Sequence, residues 1–342
     1  MKKLFLFLFV MSVGCLSAEK YYISIDVLRP GDLTFAPSVA HLLLVNNTVQ
    51  QPSGFGHSIN VEGQNTLVEQ RTDSLSIFAL ASMQEELQMI GFFSSVQLIG
   101  ETLNRDGSFY AISRLTSHEI DSLCRMYGAD AVLALNRIAV TDQITCQYSE
   151  YASSWTTALD VTSLASWSLH YPNSQAVLNK HYADSLYWQT EDFDLQNSYN
   201  QLPDRGDAEH DLALLVGEKT VKRMLPAWQR TERFFYTNQN KHIIRGMDSI
   251  PYQKWDAALT LWNGLHEDAS KLTQAYAAAN VAVIYELKGD YDSAIKWVEK
   301  ACNVAKTSWN YQLNGSFLEE QQRYLQQLRQ RKRDDELLKQ QL

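Results

Sequence analysis

Few side chains in this chain stand at spacings that could do chemistry. His57 and Ser58 follow Gly54-Phe55-Gly56, which superficially suggests a nucleophile turn or a phosphate loop, and Glu62 lies just beyond. A histidine base, a hydroxyl and a carboxylate are the raw material of a hydrolase. The segment lacks both Gly-x-Ser-x-Gly and a third glycine, so a surface loop is the expectation there. The 8 histidines form no His-Glu-x-x-His pair, and there is no Cys-x-x-Cys, so neither a metal nor another cofactor is expected. Gly217-Glu218-Lys219-Thr220 has the look of a P-loop tail, but it lacks the glycine before lysine and falls in a helical pattern. Glu85-Glu86 and Glu191-Asp192 carry no arrangement that distinguishes them from a solvated face. The expectation is a non-enzymatic protein.

The elements that would position these residues belong to a chain with room for about two domains. Of 342 residues, 45% are hydrophobic and 20% charged, which excludes a disordered chain. A net charge of −9 argues against a nucleic-acid partner. Met1-Lys2-Lys3 and the apolar run Leu4–Val13 form an export signal over residues 1–18, too short to span a membrane. Ser12-Val13-Gly14-Cys15 resembles a lipobox, which implies lipidation at Cys15; cleavage after Ala18 is the alternative. Membrane attachment would then be through acyl chains only. Cys124, Cys146 and Cys302 make an odd remainder. Cys124 and Cys302 fall in apolar helical patterns as small buried hydrophobes, and a Cys124–Cys146 bridge is the minority alternative.

Residues 19–175 predict an α/β (α+β) domain, a mixed sheet with helices packed on it. Tyr21–Leu28 alternates as a strand before Arg29-Pro30-Gly31, and Val39–Val45 is a continuous apolar run suited to a strand buried on both faces. Val49–Gly63 reads as a loop. Leu75, Phe78, Ala79, Met83, Leu87 and Ile90 recur at helical spacing, and Thr116-x-x-Glu119 is a capping box opening a second helix. A long strand starts near Ala131, followed by alternating segments at Ile144–Tyr151 and Thr156–Tyr171. This order is similar to the sheet domain of envelope proteins such as the curli-secretion lipoprotein and the N-terminal domain of TolB. Residues 176–207 read as a connecting segment, and 208–342 as an all-α domain.

Ala277–Ala301, AAANVAVIYELKGDYDSAIKWVEKA, resembles one tetratricopeptide (TPR) repeat, a helix pair of about 34 residues. Ala282 and Ala294 are small where two helices must approach. Gly289 suits the positive φ after a first helix, and Tyr291 plugs the turn. The family's tryptophan is Ala278 here and its closing proline is Lys306. Trp255–Trp262 echoes the second helix of an earlier repeat. The segment from Glu319 onward reads as a solvated helix capping the helical stack, opened by Ser316-x-x-Glu319.

Taken whole, the chain resembles an uncharacterised lipoprotein family of Bacteroidetes. The resemblance rests on Ile25–Pro30 after Cys15, Val45-Asn46-Asn47, Leu135-Asn136-Arg137, Trp167 with Tyr171-Pro172, Leu225–Trp228 with Arg233, and the Trp255–Ala301 region. It implies an envelope address, with an outer-membrane lipoprotein as the expected form, and a repeat tail. It implies no activity.

In the TPR resemblance the first helix lines a concave groove, so Tyr276, Ala279, Val283 and Glu286 would face a protein or peptide ligand while Asn280 hydrogen-bonds its backbone. The leading expectation is therefore an envelope scaffold for protein–protein contacts. The alternatives are a hydrolase of envelope carbohydrate or peptide using His57, Ser58 and Glu62, and a purely structural lipoprotein oligomer.

Overall fold

A computed structural model describes residues 19–72, 74–104, 107–265, 269–308 and 313–341. The signal segment and Cys15 lie outside the described residues. The protein is α+β, with a mixed sheet carrying helices and a helical region toward the C-terminus. Two compact units divide the chain: one is Gly31–Ala227, and the other combines the stretch up to Pro30 with Trp228–Gln340.

In the sheet unit, β2 (His41–Asn46), β3 (His57–Val61), β4 (Gln64–Leu67), β5 (Ser95–Ile99) and β6 (Ala131–Ser149) lie in the order β4-β3-β6-β2-β5. The long β6 makes this possible. Its first half pairs with β2 (Leu42 opposite Ala131) and its second with β3 (His57 opposite Asp142), both in parallel. Along its other edge β6 pairs antiparallel with β7 (Ser154–His170), which pairs with β8 (Val177–Asp192).

The apolar run of β2 serves two layers. Leu42 and Leu44 pack with α1 (Leu75–Ile90) and α4 (Arg205–Met224), while Leu43 and Val45 pack with α2 (Ser117–Tyr127) on the other face. Thr116 caps α2 through its side chain, and Glu119 reaches back to the Thr116 amide, forming the expected capping box. Gly217 lies where α4 crosses α1, its Cα against the backbone of Ala79 and Met83.

Three boundaries differ from the sequence reading. The 176–207 segment is no connection, because it forms β8 and the short α3 (Leu195–Asn200). β8 is an edge strand with half its side chains in solvent, so its polar composition disguises it. Helix α4 does not open the helical domain. Ala208, Leu212, Ala213 and Val216 bury against the sheet. The loop expected over 49–63 contains β3, which turns at Glu62-Gly63 into β4.

The second unit holds β1 (Glu19–Arg29), which the sequence placed with the sheet. It instead pairs with β9 (Ala227–Thr237) as a two-stranded ribbon. Helices α5 (Lys241–Met247), α6 (Trp255–Asn263), α7 (Lys271–Leu287), α8 (Tyr291–Lys306) and α9 (Leu318–Gln341) complete it. Ala282 of α7 and Ala294 of α8 are fully buried in one cluster, which lets the two helices pack closely. Gly289 between them has a φ of 75°, where a side chain would be strained.

Candidate functional site

The α7 residues expected to meet a ligand are all buried: Tyr276, Ala279, Asn280, Val283 and Glu286 are each at most 4% exposed. What covers them is the chain itself. Asn280 Nδ2 donates to the Tyr236 carbonyl at 2.8 Å, and Asn280 Oδ1 accepts the Tyr236 amide at 2.7 Å. The Tyr276 ring stacks on the Tyr236 ring at 4.7 Å. Asn280 thus does bind an extended backbone, but that backbone is β9. As a set, the five residues are not an open partner-binding surface.

Glu286 is the hub of a buried charge network. Arg233 donates to both its oxygens, Nε at 2.7 Å and Nη2 at 2.9 Å. Arg331 Nη1 donates to it at 2.9 Å and the Tyr324 hydroxyl at 2.7 Å. Burial opposes the Arg233 charge, but the carboxylate and Tyr324 outweigh it and hold the guanidinium above its ordinary pKa. Burial and the same carboxylate push the Tyr324 phenol well up.

Of the five, Ala279 and Val283 line a cavity. It is a cleft of about 630 Å³ walled by the β1–β9 ribbon and α9, with these two small side chains from α7. The volume falls within the usual range for small-ligand sites. Tyr22 and Phe234 form an aromatic pair on the ribbon side, 5.5 Å apart, with Lys20 Nζ 4.4 Å above the Phe234 ring. Glu320, Gln321, Arg323, Tyr324 and Gln327 come from α9, read in the sequence as a solvated cap. Among the described residues the cleft lining contains no histidine or cysteine.

The sheet unit holds a second cluster. His57, Asp142 and Glu209 are buried with ligand atoms within 4.8 Å of one another, a geometry that invites a metal. The tautomer argues otherwise. Gln51 Oε1 accepts the Val140 amide at 2.8 Å and its Nε2 donates to the Val140 carbonyl at 2.7 Å, so its amide orientation is fixed. Its two amide protons go to the Val140 and Phe55 carbonyls, so the tautomer is set on the other side of the ring, where the Arg205-paired Asp142 carboxylate can only accept and places the proton on Nδ1. Nδ1 donates to Asp142 at 2.6 Å and has no lone pair free for a metal. Arg205 closes the cluster, pairing with Asp142 and donating to the Ser58 carbonyl at 2.9 Å. Burial, reinforced by Arg205, lowers the His57 pKa below its usual 6.5. Burial pushes the Glu209 carboxyl up to about 7 against the pull of Arg205. One Glu209 oxygen has no hydrogen-bond partner.

The hydrolase candidates are not assembled into a catalytic set. His57 Nε2 faces Gln51 and no hydroxyl; the Ser58 hydroxyl meets Gln143 at 3.4 Å. Glu62 accepts the Tyr148 amide at 3.1 Å, at the far end of β3. A hollow of about 450 Å³ beyond the end of β2 is lined by Asn46 and Gln51, whose amides are spent on partners within the protein.

Comparison with known proteins adds two families. The model of a domain of unknown function, DUF8603, matches residues 39–236. That of another domain of unknown function, DUF6340, matches residues 245–330. No curated protein matches. One similar solved structure is an uncharacterised protein with 13% identity and a TM-score of 0.25, covering 54% of this chain and 90% of its own. Another is described as a homolog of neuraminyllactose-binding hemagglutinin from Helicobacter pylori. It has 12% identity and a TM-score of 0.27, over 56% of this chain and 94% of its own. At such TM-scores neither bears on function.

Proposed function

The chain belongs to the DUF8603 family, a domain of unknown function, and we propose that it is a non-enzymatic binding protein of the cell envelope that holds a protein or peptide ligand in its helical unit. The observation that carries this reading is the cleft of about 630 Å³ between the β1–β9 ribbon and α9. It combines an apolar floor, an aromatic wall and charged rims, the mixture that peptide grooves use. Ala279 and Val283 of α7, the first helix of the pair that resembles a TPR repeat, supply its floor.

The export signal and lipobox-like Cys15 support an outer-membrane lipoprotein held by acyl chains. β1 begins at Glu19, four residues after that cysteine, so its cleft-lining Lys20 would lie close to the bilayer.

The test is crosslinked capture from envelope extracts with the full chain and with Ala279→Phe, a substitution that fills the cleft from its floor. A partner captured by the first and lost by a folded Ala279→Phe protein supports the reading. An unchanged set of partners overturns it. Metabolic labelling with radioactive palmitate, lost in Cys15→Ser, checks the anchor.

A further inference from the structure

Resting on the binding reading above, we infer that the cleft captures the C-terminal end of a peptide, with Arg323 taking the terminal carboxylate and Gln321 Oε1 accepting a backbone N–H. The argument begins with hydrogen bonds that the protein leaves unmade.

Gln321 is 2% exposed, yet its Oε1 has no partner. The amide cannot be turned to remedy this. The Tyr236 hydroxyl gives its proton to Glu320 at 2.6 Å, so its oxygen needs a donor, which Gln321 Nε2 supplies at 3.0 Å. The orphan is therefore an acceptor, and it belongs to a residue that lines the cleft. A buried amide oxygen left without a donor is costly enough that an incoming N–H has real value.

The charges select what accompanies that N–H. Lys20 and the Tyr236 hydroxyl satisfy Glu320, at 2.5 and 2.6 Å. Every Arg233 nitrogen is committed to Glu286, Thr231 or the Glu232 carbonyl. Arg323, exposed at the rim, has no ion pair or hydrogen bond among the described residues. A free guanidinium recognises a carboxylate by two parallel hydrogen bonds. Among the described residues the Glu232 carboxylate in the same lining is also without a cation, which discourages a run of acidic residues. One carboxylate, one neighbouring N–H and one apolar side chain to lie over Ala279 and Val283 describe a peptide C-terminus better than an acidic segment.

The experiment uses the full chain and fluorescein-labelled random octapeptide pools in two forms, free C-terminal acid and C-terminal amide, read by fluorescence anisotropy at low salt. The acid pool is expected to bind about tenfold or more tightly than the amide pool. Arg323→Gln should erase that preference, and Arg323→Lys should restore part of it. Because Arg323 is exposed, neither variant threatens the fold. Equal binding of acid and amide pools, with both lost in Ala279→Phe, would overturn the carboxylate assignment while leaving the peptide-binding reading intact. Binding of neither pool would overturn the inference, and the capture experiment would decide the wider reading separately.

Discussion

Asn280 grips Tyr236 by both ends of its carboxamide, closing a two-point hydrogen-bonded ring with the backbone of β9 at 2.7 and 2.8 Å. A side-chain amide carries a donor and an acceptor side by side, so it can serve a peptide N–H and C=O together. Asn280→Leu keeps approximate volume and leaves both backbone groups buried and unpaired. The expected loss is about 2–6 kcal/mol in urea denaturation, from about 1–3 per orphaned group. A loss below about 1 kcal/mol would mean that β9 is not held this way.

Glu286 balances two guanidinium groups with a single carboxylate. Glu286→Gln preserves shape and removes the charge, leaving Arg233 and Arg331 buried together without a counterion. Breaking a buried pair in this way costs about 3–5 kcal/mol. A thermal melt of the variant should show one large downward shift, and Tyr324→Phe a much smaller one. Equal shifts would show that the phenol, not the charge, holds the network.

The His57–Glu209 cluster makes a prediction about pH. The folded Glu209 pKa is raised to about 7 from 4.5, so its contribution is present below the unfolded value and lost as pH rises through about 7. His57 is depressed from 6.5, so its contribution is present above 6.5 and lost as pH falls. Between about 4.5 and 6.5, while the folded imidazole stays neutral, the proton sits on Glu209 in the folded chain and on His57 in the unfolded one. The two effects cancel there. Glu209→Gln should therefore make stability fall on acidification, and His57→Gln should make it rise. Urea midpoints at about pH 5 and pH 6.5 for both variants read the opposite slopes; slopes of one sign would refute the assignment.

Gly217 explains the P-loop-like tail as a helix crossing. A Cβ there would meet the backbone of Ala79 and Met83, which has no rotamer to give. Gly217→Ala should cost about 1–3 kcal/mol despite alanine's better helix propensity. A gain in melting temperature would show that α1 and α4 can separate freely.

Local patterns carried much of the fold. The Leu42–Val45 run is buried on both faces, the Thr116–Glu119 box caps α2, and Gly289 takes its positive φ. What escaped was non-local or half-exposed. β8 hides because an edge strand keeps polar side chains on one face, and nothing in residues 19–29 announces a partner at 227–237. The candidate site was legible only in part. The α7 face has the right chemistry for holding an extended chain, but spacing alone cannot say that the chain's own β9 occupies it. Gln321 and Arg323 were missed because a Gln- and Arg-rich helix looks merely solvated. The one available hint was that its apolar stripe through Phe317, Tyr324 and Leu328 needed a surface to lie on.

The pairing of β1 with β9 has a consequence for how the molecule comes into being. Arg29 meets Gln229, and Asp26 meets Arg230, across sequence separations of 200 and 204 residues. As the chain is synthesised from its N-terminus, the ribbon's first strand emerges early and its mate only after the entire sheet unit has been made. Until then β1 is an unpaired apolar strand, open to holdase chaperones and to self-association. The helical unit is thus assembled last, around the segment that emerged first.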